Sequence, residues 1–131
     1  SPGTQHSSLF PTYIAHGISE AIANNNKAKK FLILNIGEDY ETPEYTASML
    51  ISSFFKYIKL HNNCNDDELV NYILVNNSFN FRRSKYIKID PNSYNYSNTI
   101  FEAFEDQKNP GKHDAKIILN KIIDMSVNFN E

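Results

Sequence analysis

A chain of 131 residues is long enough for one hydrophobic core and too short for two ordinary domains, so one domain, or part of one, is expected. Hydrophobic residues make up 40% and charged residues 21%, and no apolar run approaches the roughly 20 residues that a bilayer crossing needs, which points to a soluble protein without a membrane partner. Lys and Arg total 13 against 15 Asp and Glu, and a formal charge of −2 supplies no positive field for a nucleic-acid backbone.

Cys64 is the sole cysteine, which excludes an internal disulfide and a cysteine-based zinc cluster. With no charged-then-apolar leader ahead of the fold, a reducing cytoplasm is the expected location.

Residues 1–8 are small and hydroxylic and stand just before a helical segment. Backbone N–H groups and the hydroxyls of Thr4, Ser7 and Ser8 could converge there on an anion, helped by the partial positive charge of a helix start. The same residues also suit a glycine turn with hydroxyl caps. Residues 9–14 and 18–23 read as two short helical pieces, broken at Ala15-His16-Gly17.

Residues 31–36 form an almost unbroken apolar run ended by Gly37, the pattern of a strand buried on both faces of a parallel sheet. Residues 69–75 form a second. Between them Ala47, Leu50, Ile51, Phe54 and Ile58 recur at helical spacing, so one helix is expected over about 43–60, with Thr42 as its cap, Pro43 as its first residue and Glu44 in its first turn. Strand, helix, strand makes a right-handed βαβ unit, and the fold class that follows is α/β: a layered, Rossmann-like parallel or mixed sheet with flanking helices.

The loop after the first strand lies where open α/β sheets place their ligands. Its carboxylates at Glu38, Asp39, Glu41 and Glu44 are numerous enough to hold a divalent cation, or they are solvated acids complementing a helix dipole. Tyr40 and Tyr45 could stack on a base or bond a sugar, or wedge the loop against the core.

Further on, residues 86–89 and 99–104 read as edge strands set off by proline-containing turns. Arg82 and Arg83, the only arginines, are forks suited to phosphate or simply solvated. His113-Asp114 could act as an imidazole oriented by a carboxylate, but adjacent residues rarely face each other, and Asp114 also suits the cap of a helix whose Ala115, Ile118, Leu119 and Ile122 face the core. His6, His16 and His61 have no metal-ligand spacing, and no serine sits in a nucleophile-elbow sequence.

Read together, the segment from Pro2-Gly3-Thr4 to Pro11, Ala28-Lys29-Lys30 leading into the first strand, and Glu41-Thr42-Pro43-Glu44-Tyr45-Thr46-Ala47-Ser48 resemble the CofD-like family. That family includes 2-phospho-L-lactate transferases and YvcK-type gluconeogenesis factors. Tyr72-Ile73-Leu74-Val75-Asn76 is similar to its ILVN strand, and Lys112-His113-Asp114 to its basic-His-Asp element, while residues 77–106 match less.

The resemblance implies that residues 1–131 are the carboxyl-terminal part of a CofD-like domain, that an amino-terminal half with a glycine-rich GGGTG loop is absent here, and that the rest of the full-length chain completes the cleft. Pro2, Gly3, Thr4 and Ser8 would then line a phosphate-facing loop, and Tyr45 and Thr46 would stand beside a nucleotide or sugar. With the residue-level readings, the ligand-binding set comprises Pro2, Gly3, Thr4, Ser7, Ser8, Glu41, Thr42, Tyr45 and Thr46, with Arg82, Arg83 and His113 as secondary candidates. Catalytic residues and metal ligands stay unassigned.

Three functions follow. The first is a nucleotide or nucleotide-sugar binding domain, regulatory or of unassigned transferase activity. The second is a transferase moving a phospholactyl-like group from a GDP-linked donor to a deazaflavin, with Mg²⁺. The third is a structural or dimerisation segment, as in a homodimer. Two departures separate this chain from the family: Met49 replaces the acidic residue after the Tyr-Thr-Ala-Ser element, and residues 36–40 lack the sensor type's Gln-Pro-Gly stretch.

Overall fold

In the computed structural model, residues 4–80 and 85–127 are described. The chain enters through one π turn, Gln5–Leu9, continues as α1 (Phe10–Tyr13), and turns at Gly17, whose φ of 84° lies in the left-handed region. Helix α2 (Ile18–Asn24) leads to β1 (Phe31–Ile33), α3 (Ala47–Ile58), α4 (Asp66–Leu69) and β2 (Tyr72–Asn76). A 3₁₀ turn at Pro91–Asn95, β3 (Thr99–Glu102) and α5 (Ala115–Val127) follow. The three strands are parallel in the order β1-β2-β3, so the expected α/β architecture is present.

Side chains alternate across the sheet. Leu32, Ile73 and Val75 point into a large core built from Phe10, Ala23 and the buried face of α3, together with Leu69 and Val70. Leu74 points the other way, into a smaller cluster with Phe104 and Ile118, edged by Phe31, Ile33, Ile100 and Ile122. β2 is covered on both sides, which is why its sequence is a continuous apolar run.

Helix α3 forms where the sequence places its apolar stripe, and it begins four residues later than expected. Its cap is Thr46, whose hydroxyl accepts the Met49 N–H at 3.4 Å, and neither Thr42 nor Pro43 belongs to it. Glu44 explains the delay: its φ is 63°, a left-handed backbone that no helix accommodates. Residues 42–45 therefore turn, with the Tyr45 N–H donating to the Thr42 carbonyl at 3.2 Å.

Both expected strands begin or end differently from their apolar runs. β1 stops at Ile33, although Leu34 still donates to the Leu74 carbonyl and Leu34 and Ile36 remain buried. The chain then leaves β2 and pairs with another segment, through the Ile87 N–H on the Ile36 carbonyl and an antiparallel bridge between Gly37 and Tyr86. Leu69 ends α4, whose start is a capping box of Asn65 and Glu68, so the apolar run 69–75 is divided between a helix end and a strand. Of the expected edge strands, 99–104 becomes β3, while 86–89 supplies only bridges at Tyr86 and Lys88.

Asp114 caps α5, its Oδ1 accepting the Lys116 and Ile117 N–H groups at 2.9 and 3.1 Å. The expected core face of that helix is narrower than the sequence suggests. Ile118 is buried and Ile122 partly so, whereas Ala115 is exposed and Leu119 keeps 57% of its surface. Only one row of the helix meets the sheet.

Candidate functional site

The carboxyl ends of three parallel strands deliver the segments 34–46, 77–80 and 103–114 to one edge of the sheet, the usual ligand edge of open α/β folds. The π turn is tied to the same region. Buried Gln5 donates through Nε2 to the Leu50 carbonyl at 3.1 Å, fixing the turn against α3, and His6 packs among Phe10, Tyr45 and Tyr57 with ring centroids 4.6, 5.9 and 6.0 Å away.

Thr4, Ser7 and Glu41 come together there. The Ser7 N–H donates to Glu41 Oε2 at 3.1 Å, and the Thr4 and Ser7 hydroxyls lie 2.6 Å apart. Hydrogen bonds from Thr4, then Ser7, hold the Glu41 carboxyl below its ordinary range. An oxyanion of the protein itself thus occupies the donors that the sequence suggested for an anion. Ser8 is exposed, with its N–H on the Thr4 carbonyl. Pro2, Gly3, Arg82 and Arg83 lie outside the described residues.

Two other acidic side chains of this loop, Glu38 and Asp39, serve its own backbone. Glu38 Oε1 accepts the Glu44 N–H at 2.6 Å, and Asp39 Oδ1 accepts the N–H groups of Glu41 and Thr42 at 2.8 and 3.0 Å. Among the described residues no three His, Cys, Asp or Glu side chains are grouped to hold a metal ion. Tyr40 is 84% exposed, and the Glu41 charge raises its phenol.

Each polar member of the Tyr45-Thr46-Ala47-Ser48 element except Tyr45 has a local structural task. Thr46 caps α3, and Ala47 is fully buried. Ser48 donates its hydroxyl to Asp90 Oδ2 at 2.8 Å and its N–H to Oδ1 at 3.2 Å. Thr42 is buried, at 2% exposure. Tyr45 stands half-buried at the edge of the π turn.

His113 lies on the opposite flank of the strand ends. Its Nε2 is 3.0 Å from the Leu34 carbonyl, which can only accept, so the proton sits on Nε2 and Nδ1 carries the lone pair. Desolvation lowers its pKa, and the carbonyl only partly opposes this, favouring neutral imidazole. Asp114 is engaged at the start of α5, so it does not orient that ring.

Two acidic residues escaped the sequence reading as site candidates. Asp90 receives Ser48 and also the Ser93 hydroxyl at 2.6 Å; burial would raise its carboxyl, but the hydrogen bonds of Ser93 and Ser48 prevail and hold it far below the usual range. Glu105, 1% exposed, accepts the Tyr86 hydroxyl at 2.9 and 3.0 Å and the Gly111 N–H at 2.8 Å, stapling the loop after β3. The Asp90-Pro91 step at a 3₁₀ start was a readable signal for the first. Glu105 and its partner Tyr86, 19 residues apart, carry no local pattern.

Comparison with known proteins adds the fold. Two crystal structures of BH3568 from Bacillus halodurans, one described as a protein member of the UPF0052 family, superpose with TM-scores of 0.73 and 0.74 at 21% and 22% identity, over 94% of this chain. The chain shares the fold of a UPF0052 protein. It spans 41% of the length of BH3568. No protein-family model matches the chain, and no curated protein matches it. Among the described residues no helix is long and apolar enough to cross a membrane.

Proposed function

We propose that the chain is the carboxyl-terminal part of a CofD-like protein of the UPF0052 type that binds a nucleotide or nucleotide sugar at the strand ends, in a regulatory role or as an unassigned transferase of the cytoplasm. The carrying observation is the seat of the Glu41 carboxylate on the Ser7 N–H beside the Thr4 and Ser7 hydroxyls. Such donors suit a phosphate oxygen equally well. The rest of the full-length chain would supply the opposite wall, and Tyr45 would flank the base or sugar.

The phospholactyl-transferase alternative calls for Mg²⁺, whereas Glu38 and Asp39 already accept backbone N–H groups of their own loop. Binding without that chemistry is therefore the preferred reading. The test is to heat the intact protein with UDP-glucose, GDP and a deazaflavin. A nucleotide at about a hundred times its Kd should add about 2.7 kcal/mol, seen as a rise in Tm. If none of the nucleotides raises Tm, the proposal fails.

Glu41→Ala sharpens the test, because emptying the seat should tighten nucleotide binding several-fold if phosphate takes it. Weaker binding would show instead that the carboxylate organises the loop for its ligand.

A further inference from the structure

The solvent face of α3 is indented. Ser48, Ser52 and Lys56 follow one another at four-residue spacing on that face, opposite the row that enters the core. With Ser53, and with Tyr45 and Tyr96 at the flanks, they line a groove of about 540 Å³.

The wall of the groove beside α3 is fixed in place by the same interactions that anchor the 3₁₀ turn and cover the core. Asp90 binds the first turn of α3 through Ser48 and the 3₁₀ turn through Ser93, so the turn is fastened beside the helix. Tyr96, next along the chain, is stacked on Phe55 at 6.2 Å and 19° between planes.

We propose that this groove binds a monophosphorylated sugar. The Ser52, Ser53, Tyr45 and Tyr96 hydroxyls can both donate and accept, as the hydroxyls of a sugar require, while Ser48, whose proton goes to Asp90, can still accept. Lys56 is the one cation among the lining residues, no carboxylate lines the groove, and the nearby Asp90 is already engaged. One point charge suits one phosphate. The volume lies within the roughly 300–1,000 Å³ of small-molecule sites. The groove shares Tyr45 with the loop at the strand ends but does not depend on the nucleotide reading.

The experiment is saturation-transfer NMR on the intact protein with glucose 6-phosphate, ribose 5-phosphate, glucose and inorganic phosphate, repeated on Lys56→Met and on Ser52→Leu. Both substitutions are at exposed positions, and circular dichroism melts serve as the check that each variant folds. A sugar phosphate should bind at least tenfold more tightly than glucose or phosphate alone. Lys56→Met should abolish the preference over glucose, and Ser52→Leu should weaken binding at least tenfold by filling the groove. The UDP-glucose response of the strand-end loop should be unchanged in both variants, which separates the two sites. Absent binding of both sugar phosphates, equal binding by phosphate alone, or undiminished binding in both variants would overturn the proposal.

Discussion

The two faces of the sheet are built to different standards. One face meets α1 to α4 through a continuous core in which Ile51, Ile58 and Ile73 lose essentially all their surface. The other meets Phe104 and α5, a helix in which Ile118 alone is buried, at 8% exposure, and Leu119, Ile123 and Val127 keep 57%, 56% and 62% of their surface. Stability resides on the first face, because hydrophobic stabilisation follows area removed from water rather than apolar composition. An apolar helix can therefore belong to a fold while contributing little to its core.

The contrast can be broken most sharply at Ile51. Ile51→Ala should lower unfolding stability by about 2–5 kcal/mol, through lost burial and the cavity left behind, as measured by urea denaturation. A loss below about 1 kcal/mol would contradict the assignment of the main core. Next comes Glu105→Ala on the thin face's loop, expected to cost about 1–3 kcal/mol because the Tyr86 hydroxyl and Gly111 N–H lose their acceptor. Hydrogen exchange should localise that loss to residues 103–113.

Thr46→Ala removes the α3 cap and should cost about 1 kcal/mol, with Thr46→Ser retaining most of the stability. Leu119→Ser on the exposed row should change stability by no more than about 0.5 kcal/mol. A large loss there would mean that α5 is covered in the working protein.

Acid probes the anchoring of the 3₁₀ turn. The Asp90 carboxyl is depressed in the folded state, so its contribution is present above the unfolded carboxylate pKa and declines as pH falls through that value toward the depressed one. Urea titrations should show stability falling below about pH 4, the ordinary aspartate range. Asp90→Asn should be less stable at neutral pH and lose less on acidification. Parallel pH profiles for the two proteins would remove Asp90 from this role.

Much of the fold was legible because burial writes itself into periodicity. The α3 stripe, the β2 run, the Gly17 break and the Asp114 cap all appear as local patterns. Boundaries were less legible. Ile36 is buried after leaving the ladder, and Leu69 is buried as a helix end, so apolar character reported burial without reporting backbone pairing. At the candidate site, hydroxyls and acids were visible as types, but the partner each would choose was not. Glu41 meets Ser7 across 34 residues, and Asp90 meets Ser48 across 42, distances over which only the assembled fold selects the pair.

The left-handed residue ahead of α3 also shapes how this loop can drift in evolution. Glycine enters position 44 without conformational penalty and asparagine with little, whereas valine or isoleucine would be expelled by their branched side chains. Neighbouring Tyr40, open to solvent, is under no such restriction. Within a single short loop, one site is therefore filtered by backbone geometry and another is free to explore side-chain chemistry.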